Sequence, residues 1–117
     1  MQYMLMIYTA DNAGPQPGTP EFGGLMEEYG AFGAEVEKAG VFVAGDALQP
    51  ASTATSVSMT TGEAVVTDGP FAETRETLGG YYLLDCKDLD EAMAYAAKIP
   101  SAKFGTIEVR PVMVFDH

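Results

Sequence analysis

The chain is short of most groups that carry metal, redox or nucleic-acid chemistry. It has one cysteine, no tryptophan, a single histidine at the last position, and six Lys plus Arg against seventeen Asp plus Glu. A lone thiol, Cys86, cannot form an internal disulfide, so no covalent staple is expected and the residue reads as structural. With His117 terminal and Cys86 isolated, no His and Cys spacing points to a zinc site, and no metal is expected. A net charge of −11 would be repelled by a phosphate backbone or an anionic bilayer, which argues against nucleic acid and membrane as partners. No apolar run approaches the eighteen or so residues of a membrane span. No basic stretch followed by an apolar run opens the chain, so the cytoplasm is the expected location. There is no GxGxxG, no P-loop and no GxSxG elbow, hence no implied dinucleotide, triphosphate or serine-hydrolase chemistry and no expected cofactor.

What is present is the composition of one globular domain spanning 1–117, with 47% hydrophobic residues. At 12.4 kDa a folded monomer should expose roughly 6,000 Å². Tyr3 to Tyr8 is apolar at every position, the mark of a strand buried on both faces. Thr19-Pro20 reads as an N-cap with proline at the first helical position. The stripe Phe22, Leu25, Met26, Tyr29, Phe32 and Val36 then predicts a helix that stops at Gly40. Gly23, Gly24, Gly30 and Gly33 inside it are expected to allow close backbone approach, because each otherwise costs about 1 kcal/mol. Val41 to Ala44 predicts a short strand. The segments Thr53 to Thr61 and Glu63 to Thr67 predict a β-hairpin, and Asp68-Gly69-Pro70 a turn. Thr77 to Leu84 is a second strand oily on both faces, where Gly79-Gly80 permits a bulge or close contact. Asp88 to Glu91 matches a capping box opening a helix that Pro100 ends, and Thr106 to Phe115 predicts a last strand.

This order gives an α+β fold: two βαβ halves of a ferredoxin-like sandwich with an inserted β-hairpin. The two doubly apolar strands belong at the sheet centre. Two helices can cover only one face of a single sheet, so a second copy is expected on the other, forming a homodimer in the manner of a dimeric α+β barrel; the alternative is a monomer whose insert and termini fold over that face.

The densest polar cluster is Asp68 to Glu76. Asp68, Glu73 and Glu76 could serve as acid or base if desolvated, or could be a solvated loop with weak surface pairs. Glu108 and Arg110 share one face of the last strand, and Arg110 offers a planar fork for a carboxylate, either of a substrate or of the loop. Tyr8, Tyr81 and Tyr82 can supply phenols to a pocket, and Asp46 is a further acid or a turn residue. The candidate catalytic residues are therefore Asp68, Glu73 and Arg110. The candidate ligand-binding residues are Glu76, Tyr81, Tyr8 and Glu108.

The string Val66-Thr67-Asp68-Gly69-Pro70-Phe71-Ala72-Glu73-Thr74-Arg75-Glu76, with Leu78-Gly79-Gly80-Tyr81-Tyr82 and Glu108-Val109-Arg110-Pro111-Val112, resembles the DGPF branch of the YCII-related proteins. The resemblance extends to Tyr3 to Tyr8 and to Asp88 to Ala92, hence over essentially the whole chain. It implies a dimeric ferredoxin-like α+β barrel without an established activity. In the wider group a histidine near the start of the first helix and an aspartate are suggested as a dyad. Here Glu27 and Glu28 stand in that helix and no histidine does, so that mechanism does not carry over. Some relatives look associated with sigma-factor-like transcription regulators. Two functions are thus expected as alternatives: binding a small organic molecule in a carboxylate- and Arg-lined pocket, with or without acid-base catalysis, or a non-catalytic module accompanying such a regulator.

Overall fold

In the computed structural model, which describes residues 1–115, the alternation of apolar side chains decides the architecture. Strand β1 (Gln2–Thr9) points Tyr3, Leu5 and Ile7 at the helices, where all three are buried. Strand β5 (Thr77–Asp85) pairs with it antiparallel, setting Leu84 beside Tyr3 and Tyr82 beside Leu5. These two strands occupy the centre of a four-stranded sheet ordered β2-β5-β1-β6, with β2 (Phe42–Ala47) and β6 (Thr106–Pro111) at the edges. All three ladders are antiparallel, the ferredoxin-like arrangement. Helices α1 (Pro20–Lys38) and α2 (Leu89–Lys98) cover one face, and Phe32, Val36, Ala92 and Ala96 close the core against Leu5 and Leu84. The hairpin β3 (Thr55–Ser58) and β4 (Val65–Asp68) forms a separate two-stranded sheet.

The helix ends form as their residues dictate. Thr19 accepts from the Phe22 N–H ahead of Pro20. Asp88 Oδ1 accepts from the Glu91 N–H at 2.9 Å, and Glu91 reaches back to the Lys87 N–H rather than to the cap residue itself. Pro100 ends α2 by opening a 3-10 turn, Pro100–Lys103.

Four expectations need correction. The α1 glycines make no close approach: a Cβ at Gly23, Gly24, Gly30 or Gly33 would meet nothing within 4 Å. They leave the helix weaker without a packing return. Strand β2 runs on to Ala47 and carries Asp46 within the ladder opposite Tyr81, not in a turn. Strand β6 stops at Pro111, whose nitrogen has no hydrogen to donate, after which one further bond joins Val112 N–H to Gln2 O. The middle strands are shorter than the expected Thr53 to Thr61 and Glu63 to Thr67, because Met59 to Ala64 forms the hairpin connection, and β4 takes in Asp68, expected in the turn. His117 lies outside the described residues.

The second face of the sheet carries Met4, Met6, Tyr8, Tyr81 and Leu83, all half-buried. No helix of the chain lies over it. The chain exposes 8049 Å², about 1,900 Å² more than a folded monomer of this mass should. Its radius of gyration is 16.2 Å, against about 13.4 Å for a compact domain of this length.

Candidate functional site

The helix-facing positions at one corner of the sheet are almost devoid of side chains. Register places Gly45 beside Tyr82 and Ala47 beside Gly80, and Gly80 beside Ile7. A Cβ on Gly45 would come within 2.9 Å of the Tyr82 ring, and one on Gly80 within 3.0 Å of Asp46 O. These glycines let β2 and β5 approach closely while leaving room above them. A bulge between Ile7 and Tyr8 adjoins the same corner, opposite Gly79-Gly80.

The room is a cavity of about 450 Å³, within the usual range for small-molecule sites. Its sheet side is Ile7, Gly80 and Tyr82, and its helix side is Leu25, Met26 and Tyr29 of α1. Ser101 and Phe104 close one end, while Ala13 and Pro15 of the β1–α1 loop close another. That loop is held against Phe104 by Gly14, whose φ of +72° and lack of Cβ allow the ring to lie where any side chain would collide.

Two polar features stand in this apolar enclosure. The Tyr29 hydroxyl and Ser101 Oγ form a short hydrogen bond in which either can donate. Ser101 is the one buried polar residue among those described, at 6% exposure. Tyr82 lines the same space with its ring edge-on to Phe32 at 5.0 Å. Burial raises its phenol pKa, and neighbouring Tyr29 raises it further, so it stays protonated and able to donate. On the opposite face of the sheet, where register places both side chains, the Tyr81 hydroxyl donates to Asp46 Oδ2 at 2.8 Å. That bond, the aspartate charge and some desolvation, in that order, raise the Tyr81 pKa. Asp46 is the only carboxylate among the lining residues. Among the described residues no three His, Cys, Asp or Glu side chains gather as a metal site would need.

The residues singled out from sequence mostly lie elsewhere. Asp68 ends β4, exposed, opposite Thr55. Glu73 is exposed in the following loop, and Glu76 is half-buried just before β5. None of the three makes an ion pair among the described residues. Arg110 pairs with Glu108 at 2.5 Å on the face away from the helices, its side chain largely exposed. By register Arg110 is level with Met4 and Leu83, seven positions along β5 from Glu76 and therefore about 23 Å away along the strand direction. Within one chain, the charged loop and Arg110 do not converge. Tyr8 lies on the same outer face beside Thr106. Of the sequence candidates Tyr82 turns its ring to the cavity, while Tyr81 and Asp46 border it from strand positions whose side chains lie on the outer face.

Sequence reasoning passed over Tyr29, Ser101 and Gly45 as site residues; at Gly79-Gly80 it expected a bulge or close contact, and both are found there. A phenol within the apolar stripe of α1 was a signal for the first, and small residues at alternate strand positions were one for Gly45. Nothing local marks Ser101, since its partner is 72 residues away.

A helix-covered antiparallel sheet with a cavity between the two layers defines a ferredoxin-like small-molecule-sized site. The chain belongs to the YCII-related domain family, which matches residues 1–116. It is 33% identical over 117 residues to an uncharacterised protein of Rhizobium meliloti (strain 1021), covering 98% of this chain and 94% of that protein. Among solved structures it is similar in fold to 5-chloro-2-hydroxyhydroquinone dehydrochlorinase of Burkholderia phenoliruptrix AC1100, determined in complex with 2,5-dihydroxybenzoquinone. That match has a TM-score of 0.50 and 14% identity, over 97% of this chain and 94% of the other. No helix among the described residues is long and apolar enough to cross a membrane.

Proposed function

We propose that the protein binds a small, flat organic molecule bearing hydroxyl or carbonyl groups in the cavity between α1 and the β2–β5 corner. The observation that carries this is the Tyr29–Ser101 hydroxyl pair in an otherwise apolar enclosure. The phenol satisfies the buried serine hydroxyl, and the pair presents a donor and an acceptor together on the cavity wall. The walls offer ring and aliphatic surface to a ring, and the backbone at Gly80 offers close approach. The dehydrochlorinase of similar fold holds a quinone, which favours ligands of that shape.

Acid-base chemistry fits the same arrangement. Tyr29, backed by Ser101, can donate to a carbonyl or enolate oxygen as charge grows there, while Asp46 and Tyr81, whose side chains share the other face of the sheet, take no part. Asp68, Glu73, Glu76, Glu108 and Arg110 are outside this scheme.

The working form is a homodimer. The uncovered sheet face is apolar at Met4, Met6 and Leu83, and the one cation on it, Arg110, is neutralised by Glu108. Covering it needs about 800 Å² per copy, less than the chain's excess surface. The acidic exterior also suits a cationic protein partner, the setting for a regulator-associated role without catalysis.

Thermal-shift titration with 2,5-dihydroxybenzoquinone and a panel of phenols and hydroxyquinones tests the reading. A rise in melting temperature, weakened about tenfold in affinity by Tyr29→Phe, supports it. No shift from any compound refutes it, leaving the regulator-associated role.

A further inference from the structure

We propose that the β3–β4 hairpin is a clasp whose apolar face packs on a second copy of this chain. The proposal rests on the homodimer above and adds to it a surface that the sheet faces do not include.

The hairpin has two unlike sides. Val57 and Val66 are direct cross-strand partners on one of them, 64% and 62% exposed, and Met59 just beyond is 59% exposed. Ser56 and Thr67 are partners on the other, and Ser56 Oγ there donates to Gly69 O at 2.8 Å. The Val57–Val66 side is the more apolar of the two, with Met59 beyond it and Asp68 at its root, while the other side carries Ser56, Thr67 and Val65, and nothing among the described residues covers the valines. An isolated two-stranded hairpin is marginal in water, so this side calls for a covering surface.

Charge decides which surface. Two copies at −11 each repel, so they can meet only where charge is sparse. Leu48 to Gly62 has no charged residue, and the sheet face carries its one cation already paired; the carboxylates that remain on these faces are Asp68 at the root of the hairpin and Asp46, which accepts from the Tyr81 hydroxyl. Area agrees: the excess of about 1,900 Å² over a compact monomer is more than twice what one standard interface takes from a copy. The root of the hairpin is also fixed to the proposed interface strand, through Leu48 N–H to Gly79 O at 2.9 Å. Gly69 N–H to Ala54 O at 2.6 Å closes the root on itself. The clasp therefore leaves the sheet as a continuation of its β2–β5 edge, and Ala47 and Gly79, where it departs, also line the cavity.

The test uses the unmodified chain first. In a mixture of isotopically labelled and unlabelled copies, isotope-filtered nuclear Overhauser spectra should connect the Val57 and Val66 methyls to protons of the unlabelled copy. By sedimentation, Val57→Glu with Val66→Glu should weaken dimerisation about a hundredfold, by placing charge in an apolar contact. Ser56→Glu, on the opposite side, should change it less than about threefold. A dimer without intermolecular methyl contacts overturns the clasp and leaves the homodimer standing, as does a valine variant that dimerises normally. A wild-type chain that is monomeric at hundreds of micromolar overturns both. If the double variant does not fold, the methyl contacts in the unmodified chain decide.

Discussion

Removing the Tyr29 hydroxyl by substitution with phenylalanine leaves the ring's packing in place and strands Ser101 Oγ. That oxygen is in a residue only 6% exposed and has no other partner among the described residues. An unsatisfied buried hydroxyl costs about 1–2 kcal/mol, which at this chain length lowers the melting temperature by roughly 4–10 °C. Ser101→Ala strands the Tyr29 hydroxyl instead, but Tyr29 is only half-buried and can recover a bond to water, so about 0.5–1 kcal/mol is expected. The double variant removes both ends together and should cost less than the two single losses combined, with a coupling of about 1 kcal/mol. Thermal and urea melts of the four proteins at one fixed concentration measure this, the fixed concentration removing any contribution from self-association. Additive losses, or a Tyr29→Phe variant as stable as the parent, would refute a structured hydroxyl pair and with it the polar anchor of the cavity.

Gly30→Ala should raise stability by about 0.5–1 kcal/mol in a thermal melt, since the helix interior gains propensity and the new methyl meets open space. Gly45→Ala should act in reverse, costing about 1–3 kcal/mol and weakening ligand binding, because its methyl displaces the Tyr82 ring at 2.9 Å. Burial first, then the Glu91 and Asp85 carboxylates, raises the Cys86 thiol above its ordinary value near 9. A raised acid favours the protonated fold, so its contribution is intact below pH 9 and lost as pH climbs through the higher native value. Cys86→Ala should flatten that alkaline decline in melting temperature, and native Cys86 should react with a thiol reagent far more slowly than the unfolded chain; equal rates would contradict its burial.

The fold was legible because its signals are local. Runs apolar at every position marked β1 and β5 as central, Thr19-Pro20 and Asp88 to Glu91 opened the helices, and Gly69-Pro70 ended the hairpin, one residue later than expected because Asp68 still pairs in β4. The site was not. Its cavity is made by what Gly45, Ala47 and Gly80 lack, and only the bulged register between β2 and β5 shows that these three positions share a corner. Its hydroxyl pair joins α1 to the turn after α2, a contact no spacing encodes. The Asp68 to Glu76 loop drew attention by concentrating charge along the chain, but nearness in sequence did not become convergence in space, and strand direction carried Arg110 to the other end of the sheet. The α1 glycines misled for a related reason, since composition cannot tell an intimate contact from open solvent.

The most direct measurement is a map of amide chemical-shift changes as 2,5-dihydroxybenzoquinone is titrated into the isotopically labelled protein. A ligand in the cavity shifts Tyr29, Gly45, Gly80, Tyr82 and Ser101 together and saturably, and Tyr29→Phe weakens the response. Changes confined to the Asp68 to Glu76 loop and the Arg110 strand would place binding elsewhere and contradict the account.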